Sequence, residues 1–124
     1  MDMPLPNKEL IEKINEEFSR NNNEFYLDFL ADDIRWNIIG QSTIIGKSNF
    51  LKAMKMEELE SFPVITIKNI IAEGEYVVVE SIGKATTKTG KSYKPAYCDI
   101  YRIKNGKIHE MTTYFVDTAV RKEK

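Results

Sequence analysis

A carboxylate stands inside a run that otherwise reads as a buried strand: Asp99, in Tyr97-Cys98-Asp99-Ile100-Tyr101-Arg102-Ile103. An aspartate there must be solvated, paired or hydrogen-bonded, because burying it bare is very costly. The same apolar setting would raise its proton affinity and make it a candidate acid or base. Two readings of Asp99 follow. It is a pocket carboxylate that meets a ligand, or a structural one tied to a neighbouring Tyr, Arg or Lys. Glu80, on the preceding strand, could form a carboxylate pair with it, or lie at a rim and pair with a lysine such as Lys84. Tyr97 and Tyr101, two residues to either side, could donate hydrogen bonds to it. Trp36 could stack on a ligand or fill the core. His109, near the last turn, reads as exposed rather than as a catalytic base.

The elements that must position these groups are marked by apolar spacing and by turns. Asn7 can cap a helix carrying Leu10, Ile11, Ile14 and Phe18 on one face, and Asn21-Asn22-Asn23 breaks it. Phe25, Tyr26, Phe29 and Leu30 suggest a second, short helix. Ala31-Asp32-Asp33 then turns the chain into a strand from Ile34 to Ile39, and Gly40 to Gly46 reads as a loop. Ser48 can cap a third helix with Phe50, Leu51, Met54 and Leu59, which Pro63 ends. Four strands follow: Val64 to Glu73, Tyr76 to about Thr87, Ser92 to Ile103, and Lys107 to Asp117. This order predicts an α+β fold, with helices on one side of a mostly antiparallel sheet.

Alternation along the third of these strands puts Tyr97, Asp99, Tyr101 and Ile103 on one face and Cys98, Ile100 and Arg102 on the other. What faces them from the last strand depends on the turn at Asn105-Gly106, a strong hairpin signal. A two-residue loop would place Thr112 and Tyr114 beside Asp99. A three-residue Lys104-Asn105-Gly106 loop would place His109, Met111, Thr113 and Phe115 there, and is the favoured reading. The same reasoning points Val78, Glu80 and Ile82 inward. The expected cavity wall is then Ile14, Phe18, Phe29, Trp36, Ile38, Met54, Ile82, Tyr97, Tyr101, Met111 and Phe115, with Asp99, Glu80 and Thr113 as its polar points.

Composition narrows the function classes. The chain has 124 residues, is 42% hydrophobic and 30% charged, and carries a net charge of −1. These values fit one soluble domain over 1–124, with a core over about 7–117 and a frayed tail over 118–124. Basic and acidic residues are interleaved, so no concentrated basic face for nucleic acid is expected. No apolar run approaches the roughly 20 residues that span a bilayer, and no signal-peptide core precedes Asn7; the expected location is cytoplasmic. With one cysteine and one histidine, neither a disulfide framework nor a zinc or iron–sulfur centre is expected. No cofactor and no metal site is expected.

Four short motifs carry a resemblance: Ala31-Asp32-Asp33 before a strand, Ile45-Gly46-Lys47 opening the third helix, Asn105-Gly106-Lys107-Ile108 at the last hairpin, and Thr113-Tyr114-Phe115-Val116-Asp117 near the end. In this order the chain resembles the nuclear transport factor 2-like superfamily, within it the SnoaL-like and ketosteroid-isomerase-like branch, from about Asn7 to Asp117. The resemblance implies a cone, a cystatin-like roll in which a strongly curved sheet wraps the long first helix and leaves an apolar cavity open at one end. It also implies a homodimer through the outer sheet face, where Cys98, Ile100, Thr112 and Tyr114 leave apolar surface. Ketosteroid isomerases use an Asp base and an oxyanion hole of a Tyr and a protonated Asp. Placed on that pattern, Asp99 takes the protonated Asp position, Ile38 the base position and Ile14 the Tyr position. Limonene-epoxide-hydrolase relatives need an Asp just before the Tyr of the last strand, where this chain has Thr113.

The functional expectation is therefore a small-molecule-binding SnoaL-like domain without the full ketosteroid isomerase constellation. Its ligand is mostly apolar with one polar group reaching Asp99. If catalytic, it does cofactor-independent acid/base chemistry of isomerase, cyclase or hydrolase type. The alternative is a non-catalytic dimeric binding or interaction domain with a filled cavity. Asp99 is the candidate catalytic residue and Glu80 a weaker one. Trp36, Ile38, Tyr97, Tyr101, Met111, Thr113, Phe115, Met54, Phe29 and Ile14 are the candidate ligand contacts.

Overall fold

The computed structural model describes residues 6–20, 25–54 and 64–118. Helix α1 spans Asn7–Ser19 and a 3-10 turn Phe25–Phe29. Strand β1 runs Leu30–Ile38, β2 Ser42–Ile45, and helix α2 Lys47–Met54. The remaining strands are β3 Val64–Glu73, β4 Tyr76–Thr86, β5 Ser92–Tyr93, β6 Pro95–Lys104 and β7 Lys107–Asp117. They form one curved sheet in the order β2-β1-β7-β6-β4-β3, with β5 beside β4. Every pairing is antiparallel except β1 with β7, which run parallel. This is the expected α+β architecture. Among the described residues no helix is long and apolar enough to cross a membrane.

The core lies between α1 and the inner face of the sheet. Leu10, Ile11 and Ile14, three of the four residues of the predicted stripe, are buried against Leu30, Ile34, Val77, Val79, Ile103 and Ile108, and the fourth, Phe18, is half-buried. Removing each such aliphatic side chain from water contributes roughly 1.5–3 kcal/mol, which makes this contact the main force closing the sheet over the helix.

Several boundaries differ from the sequence reading. Asn7 does not cap α1. Pro6 occupies the cap position, and the Asn7 amide instead donates to the Gly74 carbonyl at 3.2 Å, tying the helix start to the β3–β4 turn. Ser48 lies inside α2 rather than before it. Ala31-Asp32-Asp33 is strand, not turn, because the pairing of β1 with β7 is irregular between Leu30 and Arg35 and keeps Leu30, Ala31 and Ile34 all buried. The expected loop at Gly40 to Gly46 holds β2, which folds back on β1. The expected strand from Ser92 is split at Lys94 into β5 and β6. The Asn21–Asn23 break, Leu59 with the helix end before Pro63, and all of the expected tail beyond Thr118 lie outside the described residues.

The last hairpin reaches the favoured facing by another route. Lys104 pairs with Lys107, so the loop has two residues, Asn105 and Gly106, at φ 54 and 74. Positive φ at both positions is what a tight turn matching strand twist requires. Such a loop alone would put Thr112 and Tyr114 beside Asp99. A bulge reverses this. Ile103 pairs with Ile108 and Arg102 with Glu110, leaving His109 as the extra residue. One inserted residue flips the alternation, and Met111, Thr113 and Phe115 come to face Tyr101, Asp99 and Tyr97.

Candidate functional site

The curved sheet and the two helices line a mostly apolar cavity of about 110 Å³ that is open on one side. Strand β6 brings Tyr97, Asp99 and Tyr101 to it, β7 brings Ile108, Met111 and Thr113, and β1 brings Leu30 and Trp36. Helix α1 adds Ile14, Asn15 and Phe18, α2 adds Phe50 and Met54, and Ile65 and Ser81 come from β3 and β4. These residues meet because a strand points every second side chain the same way, and the cross-strand rows line up. Ser81 pairs with Tyr97, Val79 with Asp99 and Val77 with Tyr101.

Asp99 is held by a short relay. The Trp36 indole Nε1–H donates to Thr113 Oγ1 at 2.8 Å, and the Thr113 hydroxyl donates to Asp99 Oδ1 at 2.7 Å. An indole N–H can only donate, so it occupies a lone pair on Thr113 and leaves that hydroxyl's single proton for the carboxylate. Trp36 is fixed in turn by Phe50, whose ring centroid lies 5.0 Å away. Burial pushes the Asp99 carboxyl up from 3.8 to about 6, and the Thr113 hydrogen bond partly offsets the rise. Burial and the neighbouring Asp99 charge push Tyr97 up and Tyr101 well up, so both phenols remain neutral donors. Among the described residues neither tyrosine hydrogen-bonds Asp99, and no Lys, Arg or His pairs with it. A carboxylate titrating near neutrality can accept a proton and return it under one set of conditions.

Not every expected residue reaches the cavity. Ile14, Phe18, Trp36, Met54, Tyr97, Asp99, Tyr101, Met111 and Thr113 border it; Phe29, Ile38, Glu80, Ile82 and Phe115 do not. Glu80 is the main correction. The register that sets Val79 opposite Asp99 turns Val78, Glu80 and Ile82 to the outer face. Glu80 is exposed there and accepts from Asn69 Nδ2 at 2.6 Å. It forms no carboxylate pair with Asp99. Ile38 sits beside Thr113 in the parallel pairing but packs on the core instead of bordering the cavity. Phe29 likewise packs on the core, and Phe115 lies half-exposed against the Tyr97 ring.

Sequence reasoning missed Asn15, Leu30, Phe50, Ile65, Ser81 and Ile108. Asn15 follows Ile14 on α1 and its amide donates to the Ile11 carbonyl at 2.9 Å. For Ser81 a signal was present. Glu80 is the one charged residue of Val77-Val78-Val79-Glu80-Ser81-Ile82, and a strand charge marks the solvated face. Its neighbours Val79 and Ser81 are then the inward ones.

Residues 11–111 match the family described as SnoaL-like domain. No curated protein matches the chain. Among solved structures, the chain is similar to a nuclear transport factor 2-like protein of unknown function from Cytophaga hutchinsonii, at 29% identity and a TM-score of 0.69, over 88% of this chain and 98% of that one. A second such protein, from Burkholderia pseudomallei, superposes with a TM-score of 0.80 at 20% identity, over 90% of this chain and 92% of that one. An LEH-like epoxide hydrolase of M. tuberculosis superposes with a TM-score of 0.75 at 17% identity, over 88% and 81%. The last two likenesses are likenesses of fold.

Proposed function

The chain belongs to the SnoaL-like domain family, and we propose that it binds a small, mostly apolar molecule in the cavity beneath α1, with Asp99 as polar anchor and proton-transfer group. The observation that carries this reading is a single carboxylate, raised to about 6, set among apolar walls and hydrogen-bonded to Thr113 alone among the described residues. One oxygen is engaged by Thr113, and the group borders the space a ligand would fill. At neutral pH it is chiefly ionised and accepts a hydrogen bond or a proton from the ligand. Its protonated form can give that proton back at a second ligand atom. The reading asks for no cofactor.

The ligand is small. Sites for drug-sized molecules run from about 300 to 1,000 Å³, well above the cavity's volume of about 110 Å³. The epoxide-hydrolase relative suggests no hydrolysis here, because Thr113 stands where the water-activating carboxylate of such enzymes is expected. Binding without proton transfer is the second reading, and Ile14 and Ile38 favour it: both are hydrocarbons where isomerase relatives are expected to carry a Tyr and a base.

Nitroethane separates the two readings. It is small, has one polar end, and loses a carbon-bound proton slowly on its own. The sole tryptophan, Trp36, borders the cavity and reports binding through its indole N–H resonance. Saturable binding with deuterium exchange into nitroethane, lost in Asp99→Asn, supports the acid/base reading. Binding without exchange leaves the second reading, and no binding removes the acid/base reading.

We also infer that a second copy of this chain covers the outer sheet face. Ile82 from β4, Tyr114 and Val116 from β7 stand 45%, 47% and 61% exposed, next to Cys98 and Ile100. The pairings Ile82–Ala96–Val116 and Glu80–Cys98–Tyr114 place them in adjoining rows. A contiguous apolar patch of this kind suits an isologous contact.

A further inference from the structure

Among the described residues, no cation faces the carboxylate in the cavity. The described polar and aromatic residues that share the cavity with it are Trp36 from β1, Ser81 from β4, Tyr97 and Tyr101 from β6, Thr113 from β7, Asn15 and Phe18 from α1, and Phe50 from α2. None is Lys, Arg or His. Buried charges in proteins are ordinarily paired, and here the described residues supply only a hydroxyl.

Two further observations point to what completes the site. Among the described residues five aromatic rings border the cavity, those of Phe18, Trp36, Phe50, Tyr97 and Tyr101. The negative faces of such rings attract a cation, and more strongly when it is desolvated. The second observation is Ser81. It is 4% exposed, borders the cavity and makes no side-chain hydrogen bond among the described residues. A buried hydroxyl left without a partner costs about as much as a lost hydrogen bond. Ser81 pairs with Tyr97, so Asp99 is its diagonal neighbour on the same face, about 7–8 Å away along the backbone. One ligand atom between them can reach both side chains.

We propose that the ligand of this cavity is a small aliphatic ammonium, whose N–H groups donate to the Asp99 carboxylate and the Ser81 hydroxyl while its alkyl part fills the ring-lined space. The proposal rests on the reading of this cavity as a ligand site and names the class of ligand. A neutral alcohol would satisfy Ser81 but leave the carboxylate unpaired. An anion would be repelled. The volume, about 110 Å³, is below the roughly 150 Å³ of a dry cavity that holds benzene, so the part of the ligand held inside is an alkyl group of a few carbons.

Three probes of similar shape test the proposal: isobutylamine, isobutanol and isobutyrate, titrated into the whole chain and followed at the Trp36 indole N–H and the Asp99 carboxyl carbon. The amine is expected to bind about tenfold or more tighter than the alcohol, with isobutyrate weakest, and to draw the Asp99 titration midpoint downward. Asp99→Asn is expected to erase the preference for the amine over isobutanol, and Ser81→Ala to weaken the amine. Lowering the pH of the unmodified protein from neutral to about 5 should weaken the amine and not the alcohol, because the carboxylate is being protonated. That measurement decides the matter even if Asp99→Asn fails to fold. Alcohol or isobutyrate binding as tightly as the amine, or amine affinity indifferent to pH, overturns the ammonium proposal and leaves the ligand site standing. Failure of all three probes to bind overturns the ligand site as well.

Discussion

Thr113 gives its one hydroxyl proton to Asp99, over 2.7 Å, because the Trp36 indole already occupies a lone pair on the other side. The carboxylate's orientation is thereby set by a tryptophan it does not touch. Thr113→Val keeps the shape and removes both hydrogen bonds. The indole N–H and one carboxylate oxygen lose their partner, which costs about 1–3 kcal/mol and lowers the melting temperature by several degrees. The Thr113 hydrogen bond also holds the Asp99 carboxyl down, so its midpoint in a carbon-detected titration of the variant rises above the parent's. A midpoint that stays put or falls would refute the relay.

Asp99→Asn tests the cost of the charge. The folded-state midpoint of about 6 lies above the ordinary 3.8, so between these values the folded protein binds more protons than the unfolded chain. Stability therefore falls as pH rises from about 4 to about 6 and stays at the lower level above that range. At about 1.4 kcal/mol per pH unit, the penalty at neutral pH is on the order of 1–3 kcal/mol. Replacing the carboxylate with an amide removes it. The variant should melt at or above the parent's temperature at pH 7, and the gap should close toward pH 4. Loss of several degrees at pH 7 would instead show that the carboxylate is structural.

Ketosteroid isomerisation should be absent. The position matching the base holds Ile38, which has no titrating group and does not border the cavity, and Ile14 stands at the tyrosine position. Glu80, the other candidate, lies on the outer face. Turnover of a β,γ-unsaturated ketosteroid at rates typical of enzymes, about 1–10³ per second, would contradict this reading.

The outer face predicts self-association. Sedimentation at tens of micromolar should show a dimer, on the order of the concentrations at which stable interfaces are already saturated. Val116→Glu, placed in the Ile82–Ala96–Val116 row, should shift it to monomer while the Trp36 indole signal stays unchanged. A monomeric parent would remove the proposal.

The parts of this fold that were legible in the sequence are the local ones. The stripe Leu10, Ile11, Ile14 and the turn at Asn105-Gly106 depend on spacing within a few residues, and both are found. Pairings between distant segments were not legible. The parallel contact of β1 with β7 joins residues about 75 apart, as in Trp36 opposite Met111, and nothing in either strand's own pattern encodes it. The facing of β4 is different: the lone charge of Glu80 marks the solvated face within the strand itself, and the expectation of Val78, Glu80 and Ile82 inward runs against that signal, whereas Val79 and Ser81 face Asp99 and Tyr97. Asp99 itself was legible, because a charge inside an apolar strand stands out from its neighbours. The favoured facing of the last strand also put Thr113 on its side of the sheet; the donor role was expected of the tyrosines two residues away, whereas cross-strand pairing gives it to Thr113.

The bulge at His109 yields the last prediction. Its single extra residue turns Met111 and Thr113 toward Tyr101 and Asp99. The imidazole is not what matters, since His109 does not border the cavity. His109→Ala should therefore melt within about 0.5 kcal/mol of the parent, the usual range for a surface substitution, and bind cavity probes as before. Deleting His109 is a different change. With the two-residue turn kept, every side chain beyond it would flip, putting Thr112 and Tyr114 beneath α1 and exposing Met111 and Thr113. The Trp36 indole would lose Thr113, Asp99 its hydroxyl, and the core one wall. The deletion should cost more than about 4 kcal/mol, in the tail reserved for broken cores and buried networks, and abolish the Trp36 indole N–H shift that marks the relay. A deletion variant that melts like His109→Ala and keeps that resonance would show that the bulge does not set which face of β7 builds the site.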